Sequence, residues 1–394
     1  MRIVVLGGAG KMGSIAVQTL AQDGRVDEVV LADYNLENAR AVAEVIGSPK
    51  VQVTFVDVTD AEGLRAVLRG ADACVNAVVY YFNLAVMEAC LAEKVPYVDM
   101  GGLFHGTRKQ WQWHDRYAEA GVAAVLGMGS APGIPNVQAR YAADRLDTVE
   151  YIRIYDGILP PPDDEVRFTY AVPTILDEMT LAPMVYRDGK FVEMPPLSEF
   201  EDYCFVEPLG VLPMHLSLHS EVATLPVSFQ HKGVREVFFK INFWGLSRAA
   251  VEKLSVLAEF GLHKKEPVRT KRGVEVSPRE VLEAVLEPYV PPVTAFLAPP
   301  TRKPPQWVKE IVTEVKGTKD GETVVYRLGT ATVKGALPTG AAPALTAIWL
   351  AQGRVPAGVY PPEQVIDPEP FFAELAALDI VTTVGVTRPL SHPV

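Results

Sequence analysis

Side chains that can move protons lie close together in two short segments of the N-terminal third of the chain. Tyr80 and Tyr81 form one group, and Asp99 and His105 form the other. Oxidation or reduction at a carbon that bears an amine or an alcohol needs a group that takes or gives the N–H or O–H proton. We expect Asp99, His105 or Tyr81 to do this, with Tyr80 in the substrate pocket. The alternatives are that His105 is a solvated loop histidine and that Asp99 only caps the glycine turn after it.

The first residues carry a glycine motif that is typical of a dinucleotide site. Gly8, Gly10 and Gly13 fit the pattern G-x-G-x-x-G directly after an apolar strand-like segment, with Lys11 and Met12 between the last two glycines. Such glycines allow a tight turn, close approach of the backbone to the pyrophosphate, and close packing of a helix on the strand. We therefore expect these five residues to bind the phosphates at a helix N-terminus, where free N–H groups attract anions.

An acidic residue twenty positions after the motif bears on the identity of the cofactor. Asp33 ends a second apolar strand, where a carboxylate accepts hydrogen bonds from a ribose 2′-hydroxyl and repels a 2′-phosphate. NAD is therefore favoured over NADP, although Arg40 on the next predicted helix is near enough to turn toward a phosphate. Asp57 and Val58, where the third predicted strand ends, are included among the expected cofactor contacts.

The segments that carry these residues alternate between strand-like and helix-like patterns over residues 1–130. This alternation predicts a doubly wound parallel sheet, a Rossmann domain of the α/β class. Ligands bind beyond the carboxyl ends of the strands in such sheets. We therefore expect Asn76, Ala77 and Gly101, which follow or end two of these strands, to lie beside a flat nicotinamide ring.

The rest of the chain changes in pattern. At 394 residues the chain exceeds the size at which one hydrophobic core keeps growing, so we expect a second domain. Residues 131–335 show strand-like stretches separated by long loops, which indicates an α+β domain with a mixed sheet for substrate binding and dimerisation. The proline-rich run 288–305 predicts an extended surface connection. Residues 336–394 include an apolar helix over 339–353, which we expect to pack back on the first domain.

Composition excludes several classes of partner. The formal net charge of −11 disfavours nucleic acid or an anionic membrane as a partner. The cysteines, Cys74, Cys90 and Cys204, have no metal-ligand spacing, so no metal is expected and a reducing cytoplasm fits. No segment is long and apolar enough to predict a membrane span or a signal peptide. We expect a small-molecule ligand.

Several motifs in both halves resemble one known family. They are Val75-Asn-Ala-Val-Val-Tyr-Tyr-Phe-Asn83, Val98-Asp-Met-Gly-Gly102, Gly129-Ser-Ala-Pro-Gly-Ile-Pro-Asn136 and Gly358-Val-Tyr-Pro-Pro-Glu363. With these motifs the chain resembles the saccharopine dehydrogenase-like family, and within it the lysine 6-dehydrogenase branch. The resemblance implies a Rossmann domain followed by an α/β substrate domain, and homodimers are common in that family.

The resemblance also implies an activity. It favours NAD-dependent oxidation of the ε-amino carbon of lysine or of a related amino acid or amine. A saccharopine- or carboxynorspermidine-type reductase, which joins an amine and a carbonyl compound, is the alternative of the same class. A Rossmann protein that binds NAD as a sensor without turnover is the alternative of another class.

One segment departs from the family pattern where the substrate is expected. Relatives often carry an arginine in the stretch that corresponds to 219–225, and this chain has Ala223 there and Glu221 in place of a glycine. A carboxylate anchor through that arginine is therefore missing, and Glu221 becomes a candidate for binding an ammonium group. His219, Thr174 and Arg167 complete the expected substrate contacts. Arg167 is a candidate for holding a carboxylate, with a solvated charge beside the acidic run 163–165 as the alternative.

Overall fold

A seven-stranded parallel sheet forms the first domain of the protein. The computed structural model describes residues 1–161, 166–243 and 245–388, so the acidic run 163–165 lies outside the described residues. The strands of the first sheet are β1 (Arg2–Leu6), β2 (Glu28–Asp33), β3 (Val51–Phe55), β4 (Ala73–Asn76), β5 (Tyr97–Asp99), β6 (Ala123–Val125) and β17 (Gly358–Tyr360). Every strand pair in this sheet is parallel, and the order across it is β17-β6-β5-β4-β1-β2-β3.

Helices cover both faces of this sheet, and their ends follow local signals in the sequence. The side chain of Asn35 accepts a hydrogen bond from the Asn38 N–H at the start of α2, and Gly47 ends that helix with a left-handed backbone. A helix absent from the sequence prediction follows Gly102, because the residues after the glycine pair were interpreted as a loop. The helices are α1 (Lys11–Gln22), α2 (Leu36–Ile46), α3 (Ala61–Leu68), α4 (Asn83–Glu93), α5 (Leu103–Trp111) and α6 (His114–Ala120).

The second domain is built on a mixed sheet, as the sequence predicted, and this sheet has nine strands. In it β7 and β12 pair in parallel, whereas β7 and β15, and β15 and β16, pair antiparallel. A small two-stranded sheet, β13 (Val268–Arg269) with β14 (Glu275–Val276), lies apart from it. The strands of the large sheet are β7 (Thr148–Ile158), β8 (Met184–Arg187), β9 (Lys190–Glu193), β10 (Glu201–Cys204), β11 (Val211–Leu216), β12 (Glu236–Ile241), β15 (Lys309–Lys319), β16 (Glu322–Thr332) and β18 (Ile380–Thr387).

Regular helices also occur in this domain, where the sequence had predicted long loops. Prolines obscured them, since Pro173 and Pro278 stand at the first helical positions, where a proline is tolerated, and Pro226 lies inside a helix. The helices are α7 (Ile134–Ala143), α8 (Val172–Thr180), α9 (Glu221–Ser228), α10 (Arg248–Glu259) and α11 (Pro278–Leu286).

The C-terminal segment returns to the first domain, as predicted. Helix α12 (Leu337–Ala351) packs on α1, with Gly340 against Ile15. The proline-rich run also covers α1, through the buried Phe296. After α13 (Pro362–Val365) and α14 (Pro368–Ala376), strand β18 joins the mixed sheet instead. Among the residues that the structure describes, no helix is both long and apolar enough to cross a bilayer. The domain limits at 130 and 335 stay a prediction.

Candidate active site

A cleft of about 1150 Å³ of empty volume, part of it open to solvent, lies between the two domains. Its first-domain wall follows β4 and β5, with Ala77 and Tyr80 after one strand and Gly101 after the other. Its second-domain wall includes Asp156 of β7 and Lys309 of β15. The cleft is therefore at the carboxyl ends of the parallel strands, where a ligand of such a sheet binds.

The glycine turn at one end of the cleft has the shape that a dinucleotide requires. A Cβ atom at Gly13 would lie 2.1 Å from the carbonyl oxygen of Gly7, and one at Gly7 would lie 2.9 Å from the backbone of Ala77. Only glycine fits at these two positions, so the backbone of the turn stays open in front of α1. Gly8 donates its N–H to Ala32 O at 3.3 Å, and Gly10 donates to Gly7 O at 2.9 Å. The turn is thereby fixed with the N-terminus of α1 available to a phosphate.

Asp33 lies at the end of β2 and holds the glycine turn. Its carboxylate accepts hydrogen bonds from the N–H groups of Ala9 at 3.0 Å and Asn35 at 2.9 Å. Tyr34, the next residue, is 76% exposed, so no bulky group closes the space beside it. Together with the glycine turn, this arrangement fits a nicotinamide dinucleotide.

Three other predicted cofactor contacts have side chains engaged within the protein. The Lys11 ammonium donates to the carbonyl oxygens of Phe168 at 2.7 Å and Tyr170 at 3.2 Å, which ties α1 to the second domain. Burial lowers the pKa of Lys11 to about 8, although Glu287 opposes this shift. The exposed carboxylate of Asp57 accepts hydrogen bonds from the backbone N–H and the hydroxyl of Thr59, so it shapes the turn before α3. Asn76 points into the protein, and its amide donates to Tyr97 Oη at 3.0 Å.

Asp99 lies away from the cleft, in the interior of the first domain. It is 1% exposed and accepts hydrogen bonds from Tyr97 Oη at 2.8 Å, Gln110 Nε2 at 2.5 Å, and the N–H groups of Gly101 at 2.9 Å and Gly127 at 2.6 Å. Burial raises the pKa of this carboxyl, while these donors favour its charged form. With its acceptor positions filled, Asp99 fixes the ends of β5 and β6 and does not face a substrate. Its expected role as the base therefore does not fit the geometry.

His105 and Tyr81 are also outside the residues that line the cleft. His105 is exposed on α5 and packs edge-on against Phe104, with ring centroids 5.1 Å apart. Tyr81 is 46% exposed and donates to Asp177 of α8, and the Lys265 ammonium donates to its hydroxyl at 3.0 Å. Neither position matches that of a proton acceptor in the cleft.

Tyr80 does line the cleft and connects the two domains across it. Its hydroxyl donates to the same Asp177 oxygen at 2.9 Å, and Arg279 of α11 forms an ion pair with the other Asp177 oxygen at 3.1 Å. Burial, together with Tyr81 and Asp177, raises the pKa of Tyr80 well above its ordinary value, so it remains a neutral donor. The predicted pocket role of Tyr80 fits this position.

A histidine–carboxylate pair occupies the second-domain wall of the cleft. His219 is 5% exposed, lines the cleft, and has its Nδ1 hydrogen-bonded to the fully buried Glu221. Its ring stacks on Phe239, with centroids 3.8 Å apart and planes 6° from parallel. Burial disfavours the charged imidazole, but Glu221 and the nearby carboxylates more than offset this and raise the pKa of His219. Because Nδ1 is occupied, Nε2 is the ring nitrogen that remains for a ligand.

Glu178, on α8, is a second titratable group of the cleft. Burial raises its pKa to about 7, although His219 and the hydroxyl of Tyr170, which donates at 2.6 Å, favour the charged carboxylate. Thr174, one helical turn earlier, also lines the cleft. A carboxyl that titrates near neutral pH is suited to exchange protons with a bound amine.

An ion pair lies in the same wall of the cleft. Lys309 Nζ and Asp156 Oδ2 are 2.9 Å apart, and both residues are 5% exposed. The other oxygen of Asp156 and the hydroxyl of Ser130, both buried in the cleft wall, have no hydrogen-bond partner among the described residues. Arg167 is exposed and does not line the cleft. Nowhere in the described ranges do three or more His, Cys, Asp or Glu residues form a group that could hold a metal.

Comparison with known proteins assigns the chain to a family. Residues 3–125 match the model of the saccharopine dehydrogenase NADP binding domain, and residues 129–380 match that of the saccharopine dehydrogenase C-terminal domain. The chain belongs to the saccharopine dehydrogenase family. It is an oxidoreductase of that family, and its first domain is the family's NAD(P)-binding domain.

Relatives of this saccharopine dehydrogenase family member include two enzymes with carboxylated amines in their names. Carboxyaminopropylagmatine dehydrogenase from Synechocystis sp. is 27% identical, with 96% of each chain covered. Carboxynorspermidine synthase from Vibrio cholerae is 26% identical over 80% of this chain and 78% of the relative. The fold is also that of saccharopine dehydrogenase (L-Glu forming) from Saccharomyces cerevisiae, with a TM-score of 0.70 at 17% identity over 98% of this chain and 99% of that one.

Sequence reasoning missed most of the cleft's charged groups in this family member. Asp156 and Lys309 are 153 positions apart, and the pairing of β7 with β15 brings them together. Glu178 was not among the expected site residues. The signal that was present is a charged residue within an otherwise apolar stretch of a strand, as with Asp156 in the segment 154–158. Such a residue costs free energy when buried and so indicates a function or a partner.

Proposed function

We propose that this protein is an NAD(P)-dependent reductase that joins a primary amine and a carbonyl compound into a secondary amine, or catalyses the reverse reaction. The observation that carries this proposal is the histidine–carboxylate pair of His219 and Glu221, whose histidine lines the same cleft as Glu178 beside the dinucleotide turn. Two carboxylates, Asp156 and Glu178, line the cleft, and a carboxylate is a suitable partner for an amine. The names of the two relatives also support it, since both describe amines that carry an added carboxylated group.

The reaction needs two proton transfers that the cleft residues can perform. The amine nitrogen forms a bond to the carbonyl carbon, water leaves, and the resulting imine takes a hydride at carbon and a proton at nitrogen. A reduced nicotinamide supplies that hydride when it is bound. Glu178 accepts the proton that the substrate ammonium must lose before its nitrogen can attack, and His219 holds at Nε2 the proton that the imine nitrogen takes up.

The surrounding residues position these two groups. Glu221 fixes the His219 ring through Nδ1, and Phe239 holds the ring plane. Tyr170 orients the carboxyl of Glu178. Tyr80 binds Asp177, the residue before Glu178, and so connects α8 to the first domain across the cleft. Because the pKa of Glu178 is about 7, its proton exchange with an amine is possible near neutral pH.

Asp33 supports NAD as the preferred cofactor. A 2′-phosphate placed beside this carboxylate would be repelled, whereas a ribose 2′-hydroxyl can donate a hydrogen bond to it. The measurement is kcat/KM with NADH against NADPH, and we expect NADH to be favoured by at least about tenfold, which corresponds to about 1.4 kcal/mol. A homodimer remains an expectation from the family resemblance, and gel filtration with light scattering would test it.

Oxidation of lysine at the ε-carbon is the competing function, and a direct assay separates the two. Reduced cofactor is mixed with an amine alone, an aldehyde alone, and both together, and its absorbance is followed. The proposal predicts oxidation of the cofactor only when both substrates are present. Reduction of NAD by lysine alone, with a cyclic imine trapped by an aromatic amino-aldehyde, would instead establish the lysine reaction.

A further inference from the structure

Two hydroxyl groups of the first domain donate to a single carboxylate oxygen of the second. Tyr80 and Tyr81 lie in one short 3₁₀ turn that follows β4, and Asp177 lies on α8. Tyr80 Oη donates to Asp177 Oδ2 at 2.9 Å, and Tyr81 Oη donates to the same oxygen. Hydrogen bonds to a charged acceptor are roughly twice as strong as those between neutral groups. The three side chains therefore form a strong junction between the two domains.

The acceptor side of this junction is held within the second domain. The side chain of Asp177 is 6% exposed and pairs at 3.1 Å with Arg279, whose side chain is 3% exposed. Arg279 also donates to the carbonyl oxygen of Pro173 at 2.5 Å and to the carboxylate of Glu283 at 2.5 Å. A buried carboxylate needs such a cationic partner. The second domain thus orients Asp177 without help from the first.

The donor side of the junction adjoins the glycine turn. The segment between β4 and Tyr80 contains Ala77 and Val78, and a Cβ at Gly7 would lie 2.9 Å from the carbonyl of Ala77 and 3.0 Å from the nitrogen of Val78. Val78 donates its N–H to Asn76 Oδ1 at 3.3 Å, which fixes the start of this segment to β4. The segment that carries the tyrosines is therefore packed directly on the turn expected to bind the cofactor, and it is restrained further when a dinucleotide is bound there.

The residue after Asp177 is Glu178, the proposed proton acceptor. Successive side chains of an α-helix point about 100° apart, so the two carboxylates lie on different sides of α8. Asp177 meets the first domain, whereas Glu178 lines the cleft and accepts a hydrogen bond from Tyr170. A shift or rotation of α8 that separates Asp177 from the tyrosines also moves Glu178.

We propose that Asp177 is a positioning residue, which accepts the hydroxyls of Tyr80 and Tyr81 and thereby holds Glu178 in place beside the cofactor-binding domain. The inference rests on the proposed function and adds the contact that couples cofactor binding to the placement of its base. Glu178 is in position for the substrate nitrogen only while this junction is closed. Asp177 acts through α8 and does not touch the reacting atoms.

Amide hydrogen exchange measures this coupling without turnover. Peptides that cover residues 172–180 are followed by mass spectrometry in the full-length protein, with and without saturating NAD. We expect NAD to slow exchange in α8 by about threefold or more in the wild-type protein and to leave it unchanged in Y80F/Y81F, which keeps both rings and loses both hydroxyls. Equal slowing in the double variant, or no slowing in the wild-type protein, would overturn the proposal. The tyrosines carry the test because a change at Asp177 also disturbs the buried Arg279.

Kinetics then separate positioning from a structural role. Tyr81→Phe is suited to this test because Tyr81 is outside the described residues that line the cleft, and its ring can still contact the Lys265 ammonium, now 4.2 Å away. We expect kcat with an amine and an aldehyde to fall by about tenfold or more, with KM for the cofactor and Tm unchanged. Tyr289→Phe is the matched control, because Tyr289 is 50% exposed against 46% for Tyr81 and lies away from the junction. A lower Tm with unchanged kcat in Tyr81→Phe would show that the junction is only structural.

The outcomes distinguish this inference from the proposed function. If the wild-type protein does not condense amines with carbonyl compounds, yet NAD slows exchange in α8 only when the tyrosine hydroxyls are present, the proposed function fails and the coupling stands. If the protein condenses them, and Tyr81→Phe retains full kcat while Y80F/Y81F retains the slowed exchange, the function stands and the coupling fails.

Discussion

At the scale of single residues, the pKa of His219 is the property on which the proposed chemistry depends. Glu221 raises that pKa, so the imidazolium persists to higher pH than for an ordinary histidine. Glu221→Gln removes the charge and lowers the pKa of His219. We expect the alkaline limb of kcat/KM in the reductive direction to move to lower pH. An unchanged alkaline limb would exclude His219 as the proton donor, and His219→Asn, which cannot titrate, should remove this limb altogether.

The protonation of Glu178 should set the acidic limb of the same profile of kcat/KM against pH. Its pKa is raised to about 7, so below that pH the carboxyl is protonated and cannot accept a proton from the substrate ammonium. Tyr170 donates a hydrogen bond that favours the charged form. Tyr170→Phe should therefore raise the pKa of Glu178 and move the acidic limb to higher pH. A limb that stays in place, in a variant with unchanged thermal stability, would argue against Glu178 as the base.

Residue types alone did not identify these groups. Asp99 has the chemistry of a base, but Tyr97, Gln110 and two backbone amides fill its acceptor positions, and such a network depends on packing that the sequence does not display. His219 was recognisable because it stands at the start of a segment that departs from the family pattern. Tyr80 was predicted on the correct side of the cleft because it follows a strand of a parallel sheet.

At the scale of elements, the turn between β1 and α1 depends on the absence of side chains. Gly13→Ala would place a Cβ 2.1 Å from the carbonyl oxygen of Gly7, and a backbone atom cannot move aside cheaply. We expect this variant to lose cofactor binding, measured by quenching of protein fluorescence on titration with NADH. Gly24→Ala is the matched control, since nothing lies within 4 Å of the added Cβ there. Normal cofactor binding by Gly13→Ala would contradict the assigned role of the turn.

The elements of the first domain were predictable and those of the second were less so. The alternation of strands and helices predicted for residues 1–130 is present, and β2 ends at Asp33 as expected, because apolar strands and capped helices alternate there at short spacing. In the second domain only some of the strands were recognised as strand-like stretches. Helices α8 and α11 begin with proline or directly before one, and this composition was interpreted as loop. Local patterns fail where a helix depends on its packing partner more than on its own residues.

At the scale of the whole molecule, a buried carboxylate joins three separate parts of the chain. Glu363 accepts hydrogen bonds from Asn136 Nδ2 and Ser228 Oγ, both at 2.8 Å, and it is 4% exposed. It thus connects the C-terminal segment to α7 and α9, which support the cleft wall. Burial raises the pKa of this carboxyl, while its donors favour the charged form. The two motifs around Asn136 and Glu363, noted for their family resemblance, are in direct contact.

Removing this connection should destabilise the fold. Glu363→Ala leaves the buried amide of Asn136 and the half-buried hydroxyl of Ser228 without their acceptor, and we expect a loss of about 2 kcal/mol or more in the free energy of unfolding. Glu369→Ala is the control in the same segment, because Glu369 pairs with Arg145 at the surface and should cost less than about 1 kcal/mol. Denaturant unfolding of both variants tests this. Equal losses in the two would mean that Glu363 is no more important than a surface ion pair.

The most direct test of the proposed reaction is the position of the transferred hydride. NADH or NADPH carrying deuterium at the transferable position is incubated with the protein, a primary amine and an aldehyde, and the products are analysed by mass spectrometry. The account predicts a secondary amine that contains both substrates and one deuterium on the former carbonyl carbon. An unlabelled product, or no product while lysine alone reduces NAD, would contradict it.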